Sequence, residues 1–290
     1  MPPTLLEAAV AAALGPGHAI DAVSRAAGGC IHESFAVRSG SMHFFEKTNR
    51  AALAGAFAAE ADGLEALIEA GVRAPRPRAT GIAGDGAYLV MEYLELDGGG
   101  DWVQLGRMLS ALHRAKGARF GWRRDNFIGS TPQRNPGLED WTAFWRNARL
   151  LPQLELAARN GLGAKLIDAG TRLAERLQRL LAGHAPQASL LHGDLWSGNA
   201  AFLAGGSPVL FDPAVYYGDR EADLAMTELF GGFPKAFYAA YRDAWPLDPG
   251  YALRRELYNL YHVLNHANLF GGGYTAQSRS MIERLLSETG

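Results

Sequence analysis

The stretch LLHGDLWSGNA, residues 190–200, follows an apolar run with His192, Gly193 and Asp194, and Asn199 comes five positions after Asp194. A second acid, Asp212, arrives in FDPA after a strand–turn–strand pattern (AAFL, AGGS, PVLF). This order and spacing suit phosphoryl transfer. One carboxylate, Asp194, takes the acceptor hydroxyl proton, and Asn199 and Asp212 hold Mg²⁺ against the phosphates of a nucleotide. Either half alone reads equally well as a polar loop beside a hairpin, with Asp194 and Asn199 capping turns. Their combination with the partners below favours the catalytic reading.

Phosphoryl transfer needs charge placed on the phosphates and a nucleophile held in line, with little covalent help from protein. A cation must therefore come from elsewhere in the chain. Of the four lysines only Lys47 lies in a strand pattern, with Phe45 on its face by period two. Alone, such a lysine points to solvent. Glu60 changes the reading, because it follows Phe57 by three and precedes Leu64 by four, on or beside the buried stripe of the next helix. Burying that carboxylate without a partner is costly. A Lys47–Glu60 ion pair satisfies both and orients the ammonium toward the α- and β-phosphates of ATP. Gly28 and Gly29 stand where a phosphate-covering turn belongs, although they form neither a full GxGxxG nor a Walker A sequence. Further on, the main-chain groups of Glu92 and Leu94 could meet an adenine, as those of any strand edge could.

The elements that position these residues fall into two regions. IHESFAVR and SMHFFEKT read as strands turning around Ser39-Gly40. A helix follows from about Ala51 to Ala70, with Gly71 at its end. Pro75 and Pro77 precede two more strands, the second being AYLVMEYL, and an amphipathic helix ending at Gly15 precedes them all. Past the triple glycine of ELDGGGD the pattern turns helical, with Leu162, Leu166, Leu173, Leu177 and Leu180 on one face. The expected class is α+β in two lobes. Residues 1–94 form a small antiparallel-sheet lobe with one helix, and residues 95–290 a mainly helical lobe carrying the catalytic loop, the metal site and the acceptor site. Residues 119–138 carry little helical pattern, and so long a loop in a compact lobe is more often functional than idle.

Composition narrows the partners. The chain has 290 residues, 48% of them apolar and 20% charged, with a formal net charge of −2, which predicts no nucleic-acid footprint. No apolar run is long enough for a membrane span. The single cysteine, Cys30, permits no intrachain disulfide and suits a reducing, cytoplasmic setting. A monomer or weak dimer is expected.

Several stretches taken together resemble the fructosamine (ketosamine) kinase family, relatives of aminoglycoside and choline kinases with a protein-kinase-like fold. They are GGCIHESF, FFEKTN, EADGLEAL, FGWRRDNFIGSTPQRN, DWTAFWRNARLLPQL, HGDLWSGN, DPAVYYGDREADLAMTELFGGF and YHVLNHANLFGGGY. HGDLWSGN with DPA is common to many small-molecule kinases; the DNFIGSTPQ and GDREADLAMTELFGGF segments narrow the likeness. The resemblance implies ATP- and Mg²⁺-dependent phosphorylation of the 3-hydroxyl of a sugar joined to an amine through a ketoamine, with deglycation to follow. It carries Asp194 over as catalytic carboxylate, Asn199 and Asp212 as metal ligands, and Lys47 with Glu60 as the pair. His32 departs from it, standing where the family often has Asn.

Trp196, inside the catalytic loop, is a platform for a sugar ring or its attached side chain, or else a wedge in the core. His262 and His266 sit four apart on one helix, but Val263 replaces the glutamate of HExxH and no third zinc ligand is suggested. The resemblance makes Asn265-His266 a substrate contact, and a buried, hydrogen-bonded histidine competes with it. Asp219, Arg220, Glu221 and Asp223 open a helix where acids suit the dipole, bracing the Asp212 loop. Cys30, beside the glycine pair, is either a redox-sensitive thiol or a plain buried one. Two other readings remain: a kinase for an aminoglycoside or choline, and a non-catalytic binding protein of kinase fold. The first calls for acceptor-side carboxylates, whereas Arg119, Arg123 and Arg124 surround Asp125. The second predicts loss of Lys47, Asp194, Asn199 or Asp212, and all four are present.

Overall fold

The structure, a computed structural model, describes residues 4–26 and 31–289. Gly28, Gly29 and Cys30, and the readings made on them, lie outside the described residues. The chain forms two compact units, Met1–Asp101 with Asn199–Ala214, and Trp102–Gly198 with Val215–Gly290. The change of unit after Asp101 comes later than the boundary expected at residue 94, and the segment bearing Asn199 and Asp212 groups with the N-terminal unit.

In the first unit, helix α1 (Leu5–Leu14) starts at a Thr4–Glu7 capping box and stops at Gly15. Strands β1 (Ala22–Arg25), β2 (Glu33–Ser39) and β3 (Met42–Arg50) lead through a short 3₁₀ turn to α2 (Ala54–Glu69). Strands β4 (Pro77–Ala83), β5 (Gly86–Glu92) and the two-residue β6 (Leu96–Asp97) follow. The antiparallel sheet runs β1-β2-β3-β5-β4. Gly40, with φ 58°, makes the tight β2–β3 turn that a side chain would strain.

Period-two alternation sends Phe44, Glu46 and Thr48 to one face of β3 and Lys47 to the other. On the first face Phe44, Tyr88 and Val90 pack with Ala9 of α1. α2 lies against the other, burying Phe57, Leu64 and Leu67 completely. Each such side chain contributes about 1.5–3 kcal/mol through burial.

The second unit opens with α3 (Trp102–Leu112), which packs on a helix near Phe237. The segment read as a long loop holds a hairpin, β7 (Asn126–Ile128) and β8 (Thr131–Gln133). Helix α4 (Trp141–Phe144) runs through a π-helical stretch, Trp145–Leu150, into α5 (Leu151–Arg159), and α6 (Ala164–Leu180) buries Leu166, Leu173, Leu177 and Leu180 of the expected leucine face, Leu162 lying before the helix. After β9 (Ser189–Leu191), strands β10 (Ala200–Leu203) and β11 (Pro208–Leu210) belong to the first unit, where β6 pairs with β10. Strand β12 (Tyr216–Gly218) pairs with β9, and α7 (Glu221–Leu229), α8 (Lys235–Ala244), α9 (Tyr251–Phe270) and α10 (Gly273–Ser287) complete the unit. α9 is buried around most of its circumference, with α7 and α10 packed on it.

The β7–β8 hairpin is clamped by amides. Asn126 Oδ1 accepts from Gln133 (2.8 Å) and Asn135 (3.0 Å), and the Tyr261 hydroxyl donates to Gln133 Oε1 at 2.7 Å. Arg149, fully buried, donates to the Arg134 carbonyl at 2.6 Å and to Asn135 Oδ1 at 2.8 Å. Its guanidinium carbon lies 4.0 Å from the Tyr216 ring centre, so aromatic faces and carbonyls take the place of a carboxylate. Among the described residues no helix is long and apolar enough to cross a membrane.

Candidate active site

β3 delivers Lys47 and α2 delivers Glu60, and the Lys47 ammonium donates to Glu60 Oε1 at 2.7 Å. The same ammonium contacts the Asp212 carboxylate. Burial works against the charged lysine, but Asp212 and Glu60 outweigh it and hold its pKa above the ordinary value. For Glu60 burial dominates, aided by Asp212 and opposed by Lys47, so its pKa is raised.

Asp212 has φ 56°, the only positive value at a non-glycine among the described residues. Such a conformation costs energy and persists where surrounding structure imposes it, commonly at functional sites. Here the Phe211 N–H donates to the Asn199 carbonyl at 3.2 Å, and the Leu210 N–H to the Arg73 carbonyl at 3.0 Å. Those bonds tie the β10–β11 hairpin to the strand region and bring the Asn199 and Asp212 backbones together. An amide oxygen and a carboxylate are hard oxygen donors, the type Mg²⁺ takes.

His32 accepts at Nδ1 from Asn49 Nδ2, 2.9 Å away, and its ring packs against Phe57. Burial, reinforced by Lys47, lowers its pKa to about 4, so the imidazole is neutral and adds no second cation beside Lys47. Glu92 uses its side chain on Arg73 (2.7 and 2.8 Å), and its N–H donates to the Arg76 carbonyl at 2.9 Å. That N–H is therefore committed to the sheet, which removes it from the set of groups offered to an adenine; Leu94 follows just beyond the strand.

In the second unit the turn that opens the segment read as the catalytic loop is held through its backbone. The Asp223 carboxylate accepts the His192 N–H on Oδ2 (2.7 Å) and the Gly193 N–H on Oδ1 (2.9 Å). His113 Nε2 lies 3.1 Å from Asp223 Oδ2, and its Nδ1 lies 2.8 Å from the Tyr241 hydroxyl. Burial would raise the Asp223 pKa, but the two histidines and the backbone donors overcome it and lower the value, keeping the acid ionised. Asp223 of α7 thus braces the His192–Gly193 turn, and Glu221 pairs with Arg254, where the sequence suggests bracing of the Asp212 loop. Asp194 is half-buried, and its N–H donates to His192 Nδ1 at 3.3 Å.

Trp196 is 37% exposed, so it is no core wedge. Its ring covers Gly198 so closely that a Cβ there would sit 2.3 Å from it. Phe230 stands edge-on at 6.0 Å and continues to His266 at 4.9 Å between ring centres. His266 donates from Nδ1 to the His262 carbonyl at 2.8 Å, leaving Nε2 as its other polar atom. His262 is buried and its pKa falls to about 3 through desolvation.

His184, Asp219 and Glu221 have metal-ligating atoms within 4.8 Å of one another. Arg254 holds Glu221 in a bidentate pair (2.6 and 2.9 Å), and Asp219 Oδ2 accepts from the Tyr258 hydroxyl at 2.6 Å with His184 Nε2 also at 2.6 Å. Those partners, one a cation, make the cluster a structural network. Sequence reasoning missed His113, Tyr241 and Arg149. No local signal marked them, because their partners lie far away in sequence.

The family described as fructosamine kinase matches residues 4–288, and the chain belongs to it. A probable ketoamine kinase of Synechocystis sp. is 48% identical over 263 residues, spanning 89% of this chain and 88% of that protein. A chloroplastic protein-ribulosamine 3-kinase of Arabidopsis thaliana is 40% identical over 279 residues, spanning 94% of this chain and 85% of that protein. A crystal structure ascribed to a fructosamine-3-kinase of Haemophilus somnus matches with TM-score 0.89 and 26% identity over 97% of this chain and 96% of that one. The fold is accordingly α+β and protein-kinase-like, as expected from the sequence.

Proposed function

We propose that the protein transfers the γ-phosphoryl group of ATP to the 3-hydroxyl of a ketosamine, a ketose joined through C1 to an amine. The observation that carries this reading is the Lys47 ammonium shared by Glu60 and Asp212 at a hairpin that also presents Asn199. Family membership and the relatives named above support the acceptor class.

The roles follow from charge. Asp194 takes the proton of the acceptor hydroxyl as its oxygen attacks phosphorus, and ADP leaves. Lys47 places positive charge on the α- and β-phosphates, and Glu60 fixes its direction. Asn199 and Asp212 would hold Mg²⁺, which would supply neutralising charge to the phosphate oxygens. Asp223 fixes the His192–Gly193 backbone so that Asp194 starts in place, a pre-organisation that avoids reordering during reaction. The Glu92 carbonyl and the Leu94 main chain receive the adenine.

Phosphate at O3 also explains what the reaction achieves. The ketone at C2 enolises to a 1,2-enaminol, which expels inorganic phosphate from C3 far more readily than hydroxide. Hydrolysis of the resulting conjugated imine returns the free amine. Measuring ADP release with N-methylfructosamine, an aminoglycoside and choline tests the reading. Turnover confined to the fructosamine is expected; turnover confined to either other acceptor, or none, overturns it.

A further inference from the structure

The catalytic-loop tryptophan is the first ring of an aromatic run within the second unit. Trp196 meets Phe230, Phe230 meets His266, and His266 lies 5.6 Å from Phe270 and 5.1 Å from Tyr274 between ring centres. Gly271 and Gly272, with φ 65° and 61°, turn the chain between α9 and α10, and Phe270 and Tyr274 flank that turn in sequence. Phe270 is 56% exposed and Trp196 37%, the two most exposed rings of the run. An exposed phenylalanine in continuity with exposed aromatic surface marks a binding surface more often than an isolated one does. None of the five side chains carries a fixed charge.

We infer that this run binds the amine side of the acceptor, taking a protonated secondary amine near Trp196 and Phe230 and an apolar or aromatic substituent along His266, Phe270 and Tyr274. The inference rests on the kinase reading and deepens it by assigning the half of the acceptor that does not react. The chemistry fits at both ends. The ketosamine nitrogen is a cation one carbon from the C2 ketone, and aromatic faces within about 6 Å attract such a cation. Beyond the nitrogen the substituent varies with the parent amine, and rings bind apolar groups by area rather than by hydrogen-bond pattern. Position adds the third argument: Trp196 is two residues from Asp194, so the run begins beside the group that takes the hydroxyl proton.

The test compares N-methylfructosamine with N-(3-phenylpropyl)fructosamine on the parent and on Phe270→Ala and Phe270→Leu. Phe270 is exposed enough for truncation to leave the fold intact, which a thermal melt checks. Phe270→Ala should raise KM for the phenylpropyl acceptor roughly tenfold, the equivalent of about 1.4 kcal/mol. The N-methyl acceptor should keep its KM within twofold, and kcat should be unchanged for both. Phe270→Leu should recover part of the loss. Equal changes for both acceptors, or none for either, overturn the inference while leaving the kinase reading intact. A parent that phosphorylates neither acceptor ends the kinase reading and this inference with it.

Discussion

The Lys47 ammonium contacts the carboxylate of Asp212, 165 positions further along the chain, while it holds Glu60 at 2.7 Å. Two acids thus share one buried cation, Glu60 enclosed with it and Asp212 partly exposed at the metal site proposed for it. Asp212→Asn should keep Lys47 paired with Glu60 but weaken the metal. The expected kcat loss is about 10²-fold or more, the size seen when a single charge-stabilising group is removed. Raising magnesium at saturating ATP should recover part of it. No recovery at any magnesium concentration would remove Asp212 from the metal site.

Asp194→Ala should lower kcat by roughly 10²–10⁴-fold, the usual contribution of a general base. ATP affinity, measured by equilibrium binding, should change little, because the residues assigned to the phosphates are untouched. A large loss of ATP binding with intact melting behaviour would give Asp194 a different role.

On the proposed kinase reading, His113 acts through Asp223 and the His192–Gly193 backbone as a positioning residue. His113→Phe should reduce kcat about tenfold with both KM values unchanged, since a small misplacement of a reacting group is costly. His113→Gln, whose amide can donate to Asp223, should restore part of kcat. Parallel losses in both variants, tracking melting temperature, would reduce His113 to a stability role.

Glu46 is fully buried on β3, and neither of its carboxylate oxygens has a hydrogen-bond partner. Burial pushes its pKa from 4.5 up to about 7. The folded protein therefore keeps a proton that the unfolded chain releases above pH 4.5, and the stability it contributes is full below that pH and lost as pH rises through about 7. Each unit of separation is worth about 1.4 kcal/mol, so the loss is on the order of 3 kcal/mol. Urea unfolding of the parent and of Glu46→Gln at pH 4.5 and pH 8 isolates it. His32 and His262, whose native pKa values fall to about 4 and 3, act in the opposite direction and cancel in that comparison. Equal pH dependence in the two proteins would show that Glu46 ionises freely.

Much of the first unit was legible because its signals are local. Alternation marked β2, β3 and β5, Gly40 marked a turn, and the spacing of Glu60 against Phe57 and Leu64 pointed to Lys47. The catalytic segment was legible through residue order alone. Long-range partners were not. Nothing in ALHRAKG distinguishes His113 from a surface histidine, because its value comes from Asp223 and Tyr241, far away in sequence. Glu46 escaped for the opposite reason: a strand residue between Phe45 and Lys47 reads as solvent-facing, and α1 covering that face is invisible to strand periodicity. The β7–β8 hairpin was missed because its strands are three residues each, stabilised by buried amides and Arg149 rather than by an apolar pattern.

The grouping of Asn199–Ala214 with the N-terminal residues has a consequence for anyone dividing this chain. It passes from one unit to the other three times, so neither unit is a continuous stretch of sequence. A fragment cut after Asp101 would carry Lys47 and Glu60 into solution without the carboxylate of Asp212 and without the hairpin whose β10 pairs with β6. Excision of the sheet-bearing half as an autonomous nucleotide module therefore requires splicing the hairpin back on, through a linker grafted from Asp101 to Asn199.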